Sequence, residues 1–224
     1  MIRVHYLDDS RAQRILWLLE ELGQDYEVVT YHRRPDMRAP RALKDIHPLG
    51  KSPVIEHDDR VIAESGAITE YLLARFDTDH ALHPEPGTDA ALRHAYWLHY
   101  AEGSAMPLLV MKLIFSAMPT RLPALLRPLG RRIARGMDEA FLNPQLKDHR
   151  AFWEAELQRD GFFAGPAFTA ADVMMSFPVE AGLTRIPGRE PTPALDAWLE
   201  TVRARPAYQR ALDRGGAYRY GKSE

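Results

Sequence analysis

The sequence predicts an α/β unit followed by an all-α unit, and three observations predict it. Residues 1–76 alternate short β-branched runs with amphipathic helical runs. A proline-containing acidic stretch, Asp77 to Thr88, follows without periodicity and reads as a linker. From Asp89 onward no run has strand character, which leaves helices. The predicted units are residues 1–78 and 89–216.

Taken in order, Ile2, Val4 and Tyr6 alternate with Arg3 and His5 and make a first strand. Asp8, Asp9 and Ser10 form a polar turn. Ser10 or Asp9 can cap the helix behind it, because a short side-chain oxygen accepts from a free helix amide. Ile15, Leu18, Leu19 and Leu22 recur at helical spacing until Gly23 ends the run. Tyr26 to Tyr31 is a second strand. His32 to Pro40 is basic and irregular, and Arg41 to Ile46 is a short helix. Val54–Ile55 and Val61–Ala63 pair as a hairpin about the turn Asp58–Asp59–Arg60. A helix runs from Ser65 to about Phe76. The resulting order, β-α-β-α-β-β-α, is the thioredoxin-like one.

Beyond the linker, Ala91 to about Phe115 reads as one long helix, or as two pieces joined at Pro107, which lacks the amide a helix interior needs. Pro119, Pro123 and Pro128 break the next stretch. Leu129 to Phe141 resumes with Ile133, Met137 and Phe141 on one face. Asn143–Pro144 suits the cap and first position of a helix through Leu157. Thr169 and Asp172, ahead of Val173 and Phe177, form a capping box, and Phe168 is placed to staple onto Val173. Two last helices span Pro191–Arg205 and Pro206–Arg214. The tail from Gly215 is expected to be loose, with Tyr218 and Tyr220 as its packing groups.

Composition removes several function classes. Lys plus Arg is 29 against 31 Asp plus Glu, so no global basic balance favours nucleic acid. The absence of cysteine excludes disulfides, an enzyme thiolate and cysteine–metal sites. The nine histidines show no metal-ligand spacing. Any thiol chemistry must therefore use a thiol carried by a substrate. No apolar stretch reaches about 18 residues, so no transmembrane segment is expected. The segment MIRVHYLDDSR has no signal-peptide run. The expected location is cytoplasmic.

The stretch His47 to Tyr71 offers a binding geometry. A cis bond at Ser52–Pro53 would hold the Ser52 N–H and C=O outward, free to pair with an extended peptide. The helix start at Ser65 offers free amides and a positive dipole end to a carboxylate. Both features flank one short hairpin, so together they suit a short acidic peptide with a carboxylate at one end.

Ser52–Pro53 followed by Glu64–Ser65 resembles the glutathione site of the glutathione transferases. The segments HYLDDSRAQRILWLLEELG, RAPRALKDIHPLGKSPV, AESGAITEYL, HYAEGSAMP and GFFAGPAFTAADVMMSFPVEA extend that resemblance over almost the whole chain, towards the branch found in fungi and bacteria. It implies a thioredoxin-like glutathione-binding domain, an all-helical domain carrying a hydrophobic-substrate site, a homodimer, and glutathione as co-substrate without a metal. The implied reaction is attack of the glutathione thiolate on a hydrophobic electrophile. A glutathione-dependent peroxidase acting on organic hydroperoxides and a non-catalytic glutathione-binding protein are the alternatives.

The thiolate needs a donor beside sulfur. Ser10, in the turn entering the first helix, is the leading candidate, and Tyr6 and Arg11 are the others. The glycine carboxylate needs a cation: Lys51, next to Ser52, comes first, then Lys44 and Arg38. Glu64 can accept from the ligand's amino group while Ser65 and the helix amides take its α-carboxylate. The resemblance implies that Glu102 approaches the same amino group from a partner subunit. Gly50–Lys51 stands where many serine-type members carry histidine or glutamine, so carboxylate recognition differs in detail here. Leu7, Met106, Leu109, Val110, Leu113 and Phe115 are the candidates for an apolar second-substrate site between the domains.

Overall fold

The computed structural model describes residues 1–188 and 190–221. Strands β1 (Ile2–Leu7), β2 (Tyr26–Tyr31), β3 (Val54–His57) and β4 (Arg60–Ala63) form one sheet in the order β2-β1-β3-β4. β1 and β2 are parallel, from Ile2 opposite Tyr26 to Leu7 opposite Tyr31, and helix α1 (Ala12–Glu21) makes the crossover. β3 and β4 are antiparallel, and the hairpin feeds α3 (Ser65–Phe76). The short α2 (Ala42–Ile46) completes the expected order.

Helix α1 is the pivot of the molecule. Every residue from Ala12 to Leu19 is buried, because the sheet covers one side and the helical half covers the other. A helix enclosed all round is expected to be apolar all round. Gln13 and Arg14 break that rule, and each must find partners inside the protein.

Helices α4 (Asp89–Tyr100) and α5 (Met106–Arg121) are joined by a π-turn, Ala101–Ala105, into one continuous rod. Thr88 caps it by accepting from the Ala91 amide at 3.1 Å. The rod runs past the expected end at Phe115 and through Pro119. Pro107 falls in the first turn after the π-turn, where a missing amide costs little, and Pro119 falls in the last turn. By length and apolar content alone this rod of 33 residues meets the requirement for crossing a bilayer, contrary to the expectation above. Its inner face, with Trp97, Leu98, Ala105 and Leu109, is part of the core.

After a short 3-10 turn, α6 (Arg127–Met137) packs back on α5. Its buried positions are Gly130 and Ala134, while the expected Ile133 and Phe141 are exposed. The reason is close approach: a Cβ on Gly130 would lie 2.5 Å from Leu122 Cδ1. A second π-turn, Asp138–Leu142, leads directly into α7 (Asn143–Asp160), so Asn143 caps nothing. Its Oδ1 accepts instead from Lys112 Nζ at 2.9 Å, and the same ammonium pairs with Asp138 at 2.9 Å.

Helix α8 (Ala170–Arg185) is buried from Ala170 to Gly182 and forms the centre of the helical half. The capping box is formed as expected. Asp172 is fully buried and accepts from the Thr169 amide at 2.9 Å, the Phe163 amide at 3.0 Å and Trp198 Nε1 on α9 (Pro193–Arg203) at 2.9 Å. One carboxylate thus ties three chain segments together. Phe168 stacks beneath the Arg205 guanidinium, 3.7 Å from its ring centre, and tilts against Trp17 on α1.

Residues 215–221, after α10 (Pro206–Arg214), pack against the rest of the protein, where the sequence suggested a loose tail. Tyr218 is buried with its hydroxyl on Glu180, which also accepts from Tyr208 at 2.7 Å. The Asp9 amide donates to the Ala217 carbonyl at 2.8 Å, and Arg219 pairs with the Asp9 carboxylate. Gly216 permits this approach, since a Cβ there would stand 2.9 Å from Tyr6 Cε1. These contacts are far apart in sequence, which is why local composition suggested mobility.

Arg14 joins the two halves. Its guanidinium is 1 % exposed. It donates to the Met174 carbonyl on α8 at 2.7 Å, to the Ser65 hydroxyl at the start of α3 at 3.1 Å, and to the Glu102 carboxylate in the first π-turn. Glu102 also pairs with Arg11 at 2.8 Å. Burial works to raise the Glu102 pKa, but Arg14, Arg11 and the hydrogen bond from Arg14 outweigh it and hold the carboxyl below its ordinary value.

Two outcomes are expected in denaturant titrations. Asp172→Ala leaves three buried donors without an acceptor and lowers stability by about 3 kcal/mol or more. Glu102→Gln leaves the Arg14 charge under-compensated and costs about 2 kcal/mol near neutral pH. The stability from Glu102 is complete above the unfolded carboxylate pKa of about 4.3 and is lost as pH falls through the folded value. The Glu102→Gln variant should therefore lose less stability than the wild type on acidification through that window.

Candidate functional site

The end of β1, the turn Asp8–Arg11, the basic segment 33–52, α5, α8 and the tail enclose a cleft of about 920 Å³. That volume is near the upper end for small-molecule sites. The cleft lies between the sheet half and the helical half, so neither half builds it alone.

Ser10 lines the cleft and is 5 % exposed. Its Oγ accepts from the Ala12 amide at 3.2 Å and lies 3.5 Å from the Ser52 hydroxyl. Ser52 donates to the His5 carbonyl at 2.8 Å and accepts from the Leu7 amide at 3.2 Å, which leaves one lone pair to accept from Ser10. A separation of 3.5 Å is the outer limit for a hydroxyl hydrogen bond. The Ser10 proton is therefore held only by that long contact, and it sits before the N-terminal end of α1, where the helix dipole favours negative charge.

Arg11 also lines the cleft, half-buried and paired with Glu102. Burial pushes its pKa down, against the pull of Glu102, and a guanidinium remains charged throughout. Tyr6 does not reach the cleft. It is fully buried on β1, and its hydroxyl turns to Gln13 Oε1 at 3.3 Å and to the Gly216 and Ala217 carbonyls at 3.4 Å. Burial and the nearby Asp8 and Asp9 push its phenol pKa up, the wrong direction for a thiolate donor. The packed tail is what takes Tyr6 out of the candidate set.

The 52–53 peptide bond is cis, with Pro53 buried behind Ser52. Lys51, Lys44 and Arg38 line the same cleft. Glu64 and Ser65 stand at the start of α3 and are not part of the cleft lining. Glu64 is exposed, with φ 73° and ψ 125°, a conformation that non-glycine residues rarely adopt and that collects at functional sites. It acts electrostatically on Arg11. Ser65 is buried and its hydroxyl oxygen accepts from Arg14, which leaves its O–H and its backbone amide as donors.

Glu102, expected to approach the ligand's amino group from a partner subunit, pairs within its own chain through both oxygens, to Arg14 and Arg11.

Of the apolar candidates, Leu7, Met106, Val110 and Leu113 line the cleft. Leu109 is on the buried face of α5 and belongs to the core, and Phe115 packs against the core from outside the cleft. Sequence reasoning missed Phe177, Arg185 and Tyr220, which complete the wall. Tyr220 accepts from Arg185 Nη2 at 2.6 Å and stacks edge-on to Phe177. Nothing local marked these residues, since Phe177 sits in a uniformly apolar helix and Tyr220 in a tail with no periodicity.

The comparisons agree with this architecture. The family description "Glutathione S-transferase, N-terminal domain" matches residues 1–74, and "Glutathione S-transferase, C-terminal domain" matches residues 117–206. The chain is 37 % identical to glutathione S-transferase 1 of Saccharomyces cerevisiae, covering 97 % of this chain and 96 % of that protein. It is 32 % identical to glutathione S-transferase 3 of Schizosaccharomyces pombe, covering 96 % and 88 %. Among solved structures, a glutathione S-transferase from Actinobacillus pleuropneumoniae superposes with a TM-score of 0.83 at 32 % identity, over 100 % of this chain and 97 % of that one. With both halves matched, and near-complete coverage by relatives above 30 % identity, this chain belongs to the glutathione S-transferase family.

Proposed function

We infer that this chain is a glutathione transferase in which Ser10 holds the thiol of bound glutathione as its thiolate. The observation that carries this reading is the Ser10 hydroxyl, in the cleft at the mouth of α1, with its proton held only by a 3.5 Å contact to Ser52. Glutathione lies along the Ser52–Pro53 loop. Its α-carboxylate meets the Ser65 amide, and Glu64 accepts from its amino group. Lys51 pairs with its glycine carboxylate, with Lys44 behind it.

The thiol gives its proton to solvent. The resulting thiolate accepts from the Ser10 O–H and sits in the field of the α1 dipole and the Arg11 guanidinium. It then attacks an electrophilic carbon held against Met106, Val110 and Phe177, forming the C–S bond as the leaving group departs with the old bonding pair. Glu102 is shared between Arg11 and Arg14, so this cluster keeps one net positive charge on the side of the sulfur.

The chain works as a cytosolic homodimer in this reading. The absence of cysteine suits a reducing compartment. Leu92 and Tyr96, one turn apart on α4 and both exposed, supply an apolar strip of the kind that pairs subunits.

Ser10→Ala should cut kcat/KM by about a hundredfold, the usual cost of removing one donor to a developing anion. It should also raise the pH at which the bound thiol ionises, followed by thiolate absorbance near 240 nm, by about one to two. Tyr6→Phe should change neither by more than about threefold. A Ser10→Ala enzyme with an unchanged ionisation midpoint would remove the serine from the mechanism.

A further inference from the structure

The cleft carries more positive charge than glutathione can neutralise. Among the described residues, nine of those lining it are arginine or lysine, and the one acid is Asp9, which is already paired with Arg219. The whole chain, by contrast, has a formal charge of −2. Basic residues are therefore gathered at this one place.

Five of the nine have partners. Arg11 pairs with Glu102, Arg34 with Asp36 and Arg219 with Asp9. Arg33 donates to the carbonyls of Asp8, Asp9 and Met37, and Arg185 donates to the Leu109 carbonyl and the Tyr220 hydroxyl. Among the described residues, the side chains of Arg38, Arg41, Lys44 and Lys51 have no ion pair or hydrogen bond, and all four are exposed. Lys44 belongs with the Lys51 loop, because its stem lies over Gly50 so closely that a Cβ there would meet Lys44 Cγ at 2.6 Å. These two lysines suffice for the single glycine carboxylate. Arg38 and Arg41 are left facing a cleft whose other surfaces include Met37, Leu49, Met106, Val110 and Leu113.

Two unpaired guanidiniums beside an apolar surface repel one another, and a neutral electrophile does nothing to relieve that. An anion does. A forked guanidinium suits a planar or tetrahedral oxyanion better than an ammonium does. A cleft lined by one sign of charge also concentrates ligands of the other.

We propose that the acceptor substrate is an anionic amphiphile, an apolar body seated on Met106, Val110 and Leu113 with a carboxylate, sulfate or phosphate head group held by Arg38 and Arg41. This rests on the transferase reading of the same cleft. Glutathione remains the nucleophile and the bond changes are those given above, with the head group a spectator that sets orientation and selectivity.

The test compares two matched acceptors at saturating glutathione, chlorodinitrobenzene and its carboxylate analogue chlorodinitrobenzoate. The carboxylate should be preferred in kcat/KM by about tenfold at low salt, and the preference should fall towards unity near 0.5 M NaCl, roughly where screening shortens to a few ångströms. Arg38→Gln/Arg41→Gln should abolish the preference and leave the KM for glutathione within about twofold. A preference for the neutral acceptor at every salt concentration overturns the proposal. So does a double variant that keeps the preference and raises the KM for glutathione, because the arginines would then serve the tripeptide. If neither acceptor reacts, the transferase reading fails on its own, and binding still decides this one. Anilinonaphthalene sulfonate fluorescence should then show salt-sensitive binding that the double variant loses, while neutral phenylnaphthylamine binds both proteins equally. Equal binding of the sulfonate by both proteins overturns it.

Discussion

The buried guanidinium of Arg14 is the constraint on which the rest of the structure depends. A charge with 1 % exposure needs donors in use and a counter-charge near it, and here both terminal nitrogens are paired while Nε is not. Here the acceptors come from α3, α8 and the π-turn between α4 and α5. Those elements are drawn onto α1 from both halves of the chain. The relative position of sheet and helices is thereby set by hydrogen-bond geometry as well as by apolar packing. The same knot takes a lone pair of the Ser65 hydroxyl and one Glu102 oxygen.

The second oxygen of Glu102 carries that order outward. It holds Arg11, and Arg11 lies in the cleft next to Ser10. From the core to the reacting centre the chain of partners is Met174, Arg14, Glu102, Arg11. Ser10 is placed by a different device, the amide of Ala12 at the start of the same helix. Both converge on the N-terminal end of α1. A single buried helix thus orders Ser10 and Arg11 at its N-terminal end and anchors that end in the core.

The β-α-β-α-β-β-α order, the cap at Thr169 and the hairpin leading to Ser65 were legible because each depends on residues within about one turn or one strand. Tyr26–Tyr31 and Ser65–Phe76 even have the expected ends. What was hidden depends on distance in sequence. Tyr6 has the character of a donor at a strand end, yet carbonyls 210 and 211 residues away claim its hydroxyl. Glu102 reads as a surface acid until Arg14 is known to be enclosed beneath it. Asn143–Pro144 has the form of a cap, and the preceding π-turn leaves nothing to cap. Ile133 and Phe141 follow a helical period, but close contact with α5 selects Gly130 and Ala134 as the inner positions. The cationic lining was visible only in part, because the segments 33–51 and 185–219 meet nowhere but in the folded cleft.

The π-turn Ala101–Ala105 is the place where this long rod takes up a spare residue. Such a turn holds one residue more than a regular α-helix would, and the flanking turns keep their faces on either side of it. Excising one residue within it would restore an even ladder with α4 and α5 nearly in phase, and the local loss would be the placement of Glu102 against the arginines. Excising one residue elsewhere in the rod would turn everything beyond it by about 100°. The same deletion is thus absorbed at one point of the rod and re-aims its far end at any other.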